Sequence, residues 1–151
     1  LPGATASPSD PGRPPPRVAG SGPVRHSSAS SFRRRPAMHL TAIFAQLCCR
    51  DLEVGIAWFS ALFARPPDAR PMDGLAEWHH GAEAGLQLRL APDHAGHGTL
   101  TLIVPDLAAQ RERLQQSAME PGGIEDVEAG RILRLADPDE NLVVLVQPRS
   151  D

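Results

Sequence analysis

The side chains best suited to chemistry in this chain are two adjacent cysteines and several histidines. Cys48 and Cys49 lie in an apolar run of strand length, where neighbours point to opposite faces and a bridge between them would be strained. Cys48 would become a reactive thiol only if a nearby cation lowered its pKa, so we interpret it as an inert strand cysteine. The absence of a disulfide framework favours a reducing compartment, and we expect a cytoplasmic protein.

The histidines do not have the spacing of a metal site. His79 and His80 are neighbours on a predicted strand and therefore diverge, whereas His94 and His97 lie in a glycine-rich loop without an acid at fixed spacing. A metal site needs several ligands that converge with defined geometry. We interpret all four as exposed side chains, and we find no spacing that argues for a Ser/His/Asp arrangement.

Charge is divided unevenly along the 151 residues. Residues 1–37 contain six Arg and one acid, a net charge of +5, whereas residues 38–151 contain nine Arg and seventeen acids, a net charge of −8. The acidic region argues against binding to a phosphate backbone, so we expect no nucleic-acid partner. No run of eighteen apolar residues occurs, so we expect no membrane partner.

Residues 1–37 have the composition of a disordered basic tail. They contain eight Pro, seven Ser and four Gly, and they cannot bury enough apolar surface to offset the entropy of ordering. We expect Met38 to be the natural start and residues 1–37 to be upstream sequence. An organelle transit peptide is the alternative, but the prolines would disrupt its amphipathic helix.

From Met38 onward the hydrophobic pattern predicts one domain, residues 38–151, made of a repeated unit. Asp51-Leu52 and Asp106-Leu107 each follow a predicted strand and open a predicted helix, because an aspartate can cap the first turn. Further strands follow each helix. One such unit cannot cover its own sheet. We therefore predict an α+β fold of two paired βαβββ modules, about 41–92 and 98–147, that form a cupped mixed sheet.

Five segments follow one another along this domain: DL (51–52), AEW (76–78), LQLRLAPDHAG (86–96), LTLIVPDL (100–107) and DPDEN (137–141). Their order resembles the vicinal oxygen chelate superfamily, which includes glyoxalase I, extradiol dioxygenases and bleomycin-resistance proteins. The last turn of the family usually reads Asp-Pro-Asp-Gly-Asn, and here Glu140 replaces the glycine. We expect Asn141 to relieve the turn by accepting a positive φ, and we interpret the acids of the turn as structural.

The resemblance implies four positions for the side chains that hold a divalent ion in the metal-dependent members. Counted from the shared landmarks, they fall at Phe44, Gln87, Leu100 and Val144. Hydrocarbon side chains cannot ligate, and a neutral amide is a weak donor. We therefore expect no metal and no cofactor.

Strand alternation predicts an apolar pocket with a few polar groups, which is the usual composition of a small-molecule site. Gln46 and Gln87 would orient the ligand by hydrogen bonds, and Trp78 would stack on it. The predicted ligand-binding residues are Phe44, Gln46, Cys48, Trp78, Gln87, Arg89, Leu100, Leu102 and Val144.

The leading hypothesis is a glyoxalase/bleomycin-resistance-like protein that binds a small apolar or aromatic molecule without metal. By resemblance, we expect a homodimer. The competing hypothesis is a metal-dependent lyase, isomerase or dioxygenase similar to glyoxalase I. It needs ligands from other positions, or acid–base work without metal by Arg89 or a histidine. A module that binds no ligand is the third reading.

Overall fold

The computed structural model describes Gly12, Pro14, Gly20, Gly22 and residues 35–150. The predicted disorder of residues 1–37 lies almost entirely outside these residues and stays a prediction. The chain divides into Leu1–Met38 and His39–Asp151, and all helices and strands of the described residues lie in the second unit. No helix among the described residues is long and apolar enough to cross a membrane.

His39–Asp151 contains the same succession of elements twice, which confirms the predicted α+β fold of two βαβββ modules. Module 1 consists of β1 (Ile43–Cys49), α1 (Leu52–Phe63), β2 (Ala69–Met72), β3 (Leu75–His80) and β4 (Ala84–Leu90). Module 2 consists of β5 (Thr99–Ile103), α2 (Leu107–Gln116), β6 (Glu125–Val127), β7 (Gly130–Ala136) and β8 (Leu142–Pro148). A 3-10 turn at Pro92–His94 lies between the modules.

Each module forms its own four-stranded mixed sheet. The strand orders are β1-β4-β3-β2 and β5-β8-β7-β6, and in each sheet the first pair is parallel whereas the others are antiparallel. No ladder of backbone hydrogen bonds joins the two sheets among the described residues. The modules are therefore held together by side-chain packing and by polar contacts.

Both helices begin with the predicted aspartate caps. The Asp51 carboxylate accepts from the Val54 N–H at 3.2 Å, and the Asp106 carboxylate accepts from the Ala109 N–H at 3.1 Å. These bonds satisfy backbone donors that have no partner within the helix. Because the caps fix where each helix starts, they also fix which helix residues reach the sheet.

One hydrophobic core covers the helix-facing side of both sheets. Its members are buried side chains that alternate along the strands or lie along one stripe of each helix, including Leu47, Phe59, Trp78, Leu88, Leu100, Leu114, Leu133 and Val143. Because successive strand residues point to opposite faces, the residues between these core positions lie on the other face of each sheet. That other face is not packed against a helix, and we call it the open face.

The acidic turn between β7 and β8 holds the two modules together. The Asn141 side chain is fully buried: its oxygen accepts from the N–H groups of Gly96 (3.1 Å) and Gly98 (2.9 Å), and its nitrogen donates to the Cys48 carbonyl at 2.9 Å. The same nitrogen donates to the Asp137 carboxylate at 2.8 Å. Asn141 thus joins β1, the linker and the turn.

The two aspartates of this turn are also engaged in structural contacts. Asp137 Oδ1 accepts from the backbone N–H groups of Asp139 and Asn141, both at 2.9 Å. Asp139 Oδ1 accepts from the Arg50 N–H at 3.0 Å, and the Arg50 guanidinium lies 3.3 Å from the same oxygen. Both carboxylates are therefore occupied, which agrees with a structural role for these acids.

The turn carries backbone strain at one residue. Glu140 has φ 69°, whereas the sequence reasoning placed the positive φ at Asn141. The correction follows from the contacts of Asn141, because its buried side chain must reach β1 and the linker as well as Asp137 in its own turn. A non-glycine residue in the left-handed region costs about 1–2 kcal/mol relative to its preferred conformations.

We therefore expect Glu140→Gly to stabilise the fold. The gain is about 0.5–1 kcal/mol, because glycine relieves the strain but loses more entropy on folding. Urea unfolding followed by circular dichroism measures it. Glu140→Ala serves as the control: it removes the same carboxylate but keeps a Cβ, so it should show no such gain. An equal gain in both variants would show that charge, and not backbone conformation, is responsible.

Candidate functional site

The open face of module 1 carries a continuous row of polar side chains. Gln46, Gln87 and Glu77 lie side by side on β1, β4 and β3, because the ladders pair Gln46 with Gln87 and Glu77 with Gln87. Gln46 Nε2 donates to Gln87 Oε1 at 3.0 Å, and Gln87 Nε2 donates to Glu77 Oε2 at 2.7 Å. His79 Nε2 lies 3.1 Å from Glu77 Oε1. The row therefore ends at a histidine.

The Glu77 carboxylate sets the direction of every hydrogen bond in this row. An ionised carboxylate only accepts, so Gln87 must turn its NH2 group towards it and its amide oxygen towards Gln46. For the same reason His79 Nε2 carries the proton in the bond to Glu77. The hydrogen bonds from Gln87 and His79 hold the pKa of the Glu77 carboxyl below its ordinary range, so a negative charge is fixed on this face.

An aromatic pair closes one end of the row. The Phe44 ring meets the His79 ring edge-on, with centroids 5.7 Å apart and an interplanar angle of 80°. Phe44 lies over Gly85, where a Cβ would come within 2.5 Å of the ring and 2.6 Å of the Trp78 carbonyl oxygen. A glycine is therefore required at this position, and the close approach holds the ring against the sheet.

A cleft of about 510 Å3 lies at the opposite end of the row. Its wall combines apolar and polar groups: Gln46, Met72, Asp73, Gly74, Leu75, Arg89 and Leu90. The exposed Arg89 side chain has no ion pair and no side-chain hydrogen bond among the described residues. The module 1 open face thus runs from an aromatic pair, past a carboxylate, to a cleft that contains a guanidinium.

The open face of module 2 has a different chemistry at equivalent positions. Thr101, Val144 and Arg134 lie side by side there, as Gln46, Gln87 and Glu77 do in module 1. Arg134 contacts Glu125, and no row of hydrogen bonds links these residues among the described side chains. The duplication has therefore kept the scaffold and changed the polar groups.

Trp78 does not lie on the open face, which corrects its predicted role. Its side chain is fully buried against Phe59 and Phe63, and its Nε1 donates to the Arg65 carbonyl at 3.2 Å. The reason is strand parity: in β3, Glu77 and His79 point to the open face, so Trp78 between them points to α1. Sequence reasoning missed Glu77 and His79 because it assigned Trp78 to the pocket. The pairing of β3 with Gln87 on β4 was the signal that could have found them.

Leu100 and Leu102 also belong to the core and not to a pocket. Leu100 is buried in the shared core, and Leu102 packs against it from a half-buried position. In β5 the open face instead carries Thr99, Thr101 and Ile103. The prediction matched Leu100, six residues before the Asp106 cap, to Phe44, which lies seven residues before the Asp51 cap. The two modules have equal spacing, so the residue equivalent to Phe44 is Thr99.

Five predicted residues lie on an open face: Phe44, Gln46, Gln87 and Arg89 in module 1, and Val144 in module 2. Cys48 shares their side of β1 but is half-buried. Their roles in ligand binding stay predictions. Cys49 points into the core, where burial raises the pKa of its thiol to about 12, so it cannot serve as a nucleophile at neutral pH.

The side chains at the family's ligand positions do not fit a divalent ion. They are Phe44, Gln87, Val144 and, in the corrected register, Thr99. The Gln87 oxygen already accepts from Gln46, and the others offer hydrocarbon or a hydroxyl. Within residues 35–150, no three His, Cys, Asp or Glu side chains are grouped as metal ligands would be.

A second cavity, of about 540 Å3, lies on the helix side near the end of α1. Phe63, His80 and Arg113 contribute to its wall. Arg113 donates to the carbonyls of Ala61 and Leu62, so its guanidinium caps α1 from α2. Burial lowers the pKa of His80, which favours its neutral form. The charged group of this cavity is thus used by the fold, which makes it a weaker candidate for a ligand site.

Solved structures share the duplicated βαβββ fold of this chain. A glyoxalase/bleomycin resistance protein from Catenulispora acidiphila DSM 44928 superposes with a TM-score of 0.67 at 27% identity, over 72% of this chain and 99% of that one. TnmS3, an antibiotic-binding protein from Streptomyces sp. CB03234, gives 0.63 at 23% identity, over 76% and 98%. A bleomycin-binding protein solved with bleomycin gives 0.61 at 21% identity, over 74% and 100%.

The chain has the glyoxalase/bleomycin-resistance fold. This confirms the resemblance to the vicinal oxygen chelate superfamily. Comparison with protein-family models gave no match, and comparison with curated proteins also gave none.

Proposed function

We propose that the protein binds a small aromatic or apolar molecule on the module 1 open face without a metal ion. The observation that carries the proposal is the set of side chains at the family's ligand positions. Phe44, Val144 and Thr99 offer no strong donor, and the Gln87 oxygen is committed to Gln46. A flat ligand could instead lie against Phe44, with the amides along its edge.

We further propose that a second copy of the chain covers the open faces. Large apolar side chains are exposed on these faces, with Phe44 37% exposed in module 1 and Ile103 65% exposed in module 2. Monomeric proteins rarely leave a contiguous apolar patch uncovered. A homodimer would bury these residues and enclose a ligand. A cytoplasmic location is supported by two free cysteines, Cys48 and Cys49.

A thermal-shift screen against flat aromatic compounds, run in the presence of a chelator, tests the binding proposal. We expect at least one compound to raise the melting temperature in a concentration-dependent manner, because a ligand that binds only the folded state stabilises it. Phe44→Ala should weaken the affinity about tenfold by removing the exposed ring.

The matched control is Phe63→Ala, which removes a ring from the helix side near the second cavity. It should lower the melting temperature without changing the affinity. If no compound stabilises the protein, the binding proposal is wrong. A loss of affinity in Phe63→Ala alone would instead place the ligand in the second cavity.

One observation favours a second candidate, acid–base catalysis without metal. The Glu77 carboxylate orients the His79 ring, which leaves Nδ1 free to exchange a proton with a substrate. His79→Gln separates the candidates, because a catalyst would lose turnover with little change in affinity. A binding protein would show no turnover before or after the change.

A further inference from the structure

The module 1 open face carries two opposite charges that do not pair with each other. Glu77 on β3 is opposite Gln87 on β4, and Arg89 is two residues further along β4. Diagonal neighbours in an antiparallel pair lie about 7–8 Å apart, measured between their backbones. No ion pair joins the two side chains, because the Glu77 carboxylate is already held by Gln87 and His79.

Both charges remain available to a molecule lying on the sheet. The bonds to Gln87 and His79 each use one lone pair of a Glu77 oxygen, and a carboxylate offers about four. Arg89 is exposed at the cleft, and no described side chain accepts its fork of N–H groups. Arg guanidinium is a specific partner for carboxylate or phosphate, because it can form two parallel hydrogen bonds.

The groups between the two charges suit a flat ring. Gln87 and Leu75 occupy the two positions between Glu77 and Arg89, since Gln87 is opposite Glu77 and Leu75 is opposite Arg89. Leu90 borders the guanidinium at the cleft. A molecule with only an anionic group would be repelled by the Glu77 carboxylate. A molecule with only a cationic group would leave Arg89 unpaired. Each such mismatch lowers affinity.

We propose that the module 1 open face selects flat dipolar molecules, which place a cationic hydrogen-bond donor on Glu77 and an anionic group on Arg89. The inference rests on the proposed function, since it names the ligand class of the same face. It adds two specificity-determining residues, one of which sequence reasoning did not identify as part of the site.

Four benzene derivatives test this selection: 4-(aminomethyl)benzoate, benzylamine, benzoate and benzyl alcohol. Affinities are measured by chemical-shift titration of 15N-labelled full-length protein at pH 7. We expect the dipolar compound to bind about twofold to fivefold more tightly than either singly charged compound, as one exposed charge contact contributes about this factor. Shifts should concentrate on β3 and β4.

Two variants test which side chain contacts each charged group of the ligand. Arg89→Gln should abolish the advantage of 4-(aminomethyl)benzoate over benzylamine, and Glu77→Gln should abolish its advantage over benzoate. Arg131→Gln is the matched control, because Arg131 is also exposed but lies on the helix side of module 2, and it should leave all four affinities unchanged.

The possible results distinguish a failure of dipolar selection from a failure of ligand binding. If the four compounds bind with equal affinity, or if the preference persists in both variants, the face binds flat molecules but does not select dipolar ones. If none of the four binds, and the aromatic screen also finds no ligand, both the selection and the binding proposal are wrong.

Discussion

Asn141→Ala should lower the free energy of unfolding by about 3–5 kcal/mol, because it removes one buried side chain that links three segments. Four hydrogen bonds are lost, to Gly96, Gly98, Cys48 and Asp137. Each buried group left without a partner costs about 1–3 kcal/mol, and water entering the space offsets part of this. Such a loss is a large fraction of the free energy of unfolding of a folded domain, which is usually about 5–15 kcal/mol.

Urea unfolding followed by circular dichroism measures the effect. Asp126→Ala is the control, since that carboxylate is exposed and its nearest cation, Arg131, is 3.9 Å away; its loss should change stability by less than about 0.5 kcal/mol. Asn141→Asp should be as harmful as Asn141→Ala, because a second carboxylate would face Asp137. A loss below 1 kcal/mol in Asn141→Ala would mean that the turn does not hold the modules together.

Trp78→Ala should also destabilise the fold severely, by about 3–5 kcal/mol, as expected for a large aromatic side chain removed from a core. The ring is fully buried between Phe59 and Phe63, and its N–H bond to Arg65 would be lost as well. Trp78→Phe keeps most of the volume and should cost less than half as much.

Trp78→Phe also distinguishes a tryptophan in the core from one that stacks on a ligand. Trp58→Phe is the comparison, because Trp58 is only half-buried at the edge of the core, and its loss should be smaller. If Trp78→Phe left stability unchanged but abolished the binding of aromatic compounds, the placement of Trp78 in the core would be wrong.

The sequence was sufficient to predict the duplicated scaffold because its signals are local. An aspartate cap before an apolar stripe starts each helix, and both caps form as expected. The short edge strands β2 and β6 are implied by the predicted βαβββ modules, but their residues could not be located, since ARPM and EDV lack an apolar alternation. Their position depends on pairing with β3 and β7, which is a long-range property.

The candidate site was predicted only in part, because strand parity must be known in every strand at once. The parity of β1 and β4 was correct, so Gln46, Gln87 and Arg89 lie on the open face. In β3 and β5 the parity was wrong by one residue, which exchanged Trp78 for Glu77 and His79, and Leu100 for Thr99 and Thr101. A one-residue error moves every side chain to the opposite face.

If the open face binds its ligand without a metal ion, as we propose, the purified protein should carry no bound metal, and elemental analysis measures this. Full-length protein is purified without chelator, and Mn, Fe, Co, Ni, Cu and Zn are measured per chain, before and after titration with an aromatic ligand. We expect far less than one equivalent of any of these metals and an affinity that does not change when EDTA is added. One tightly bound equivalent, whose removal abolishes ligand binding, would show that binding depends on a metal ion.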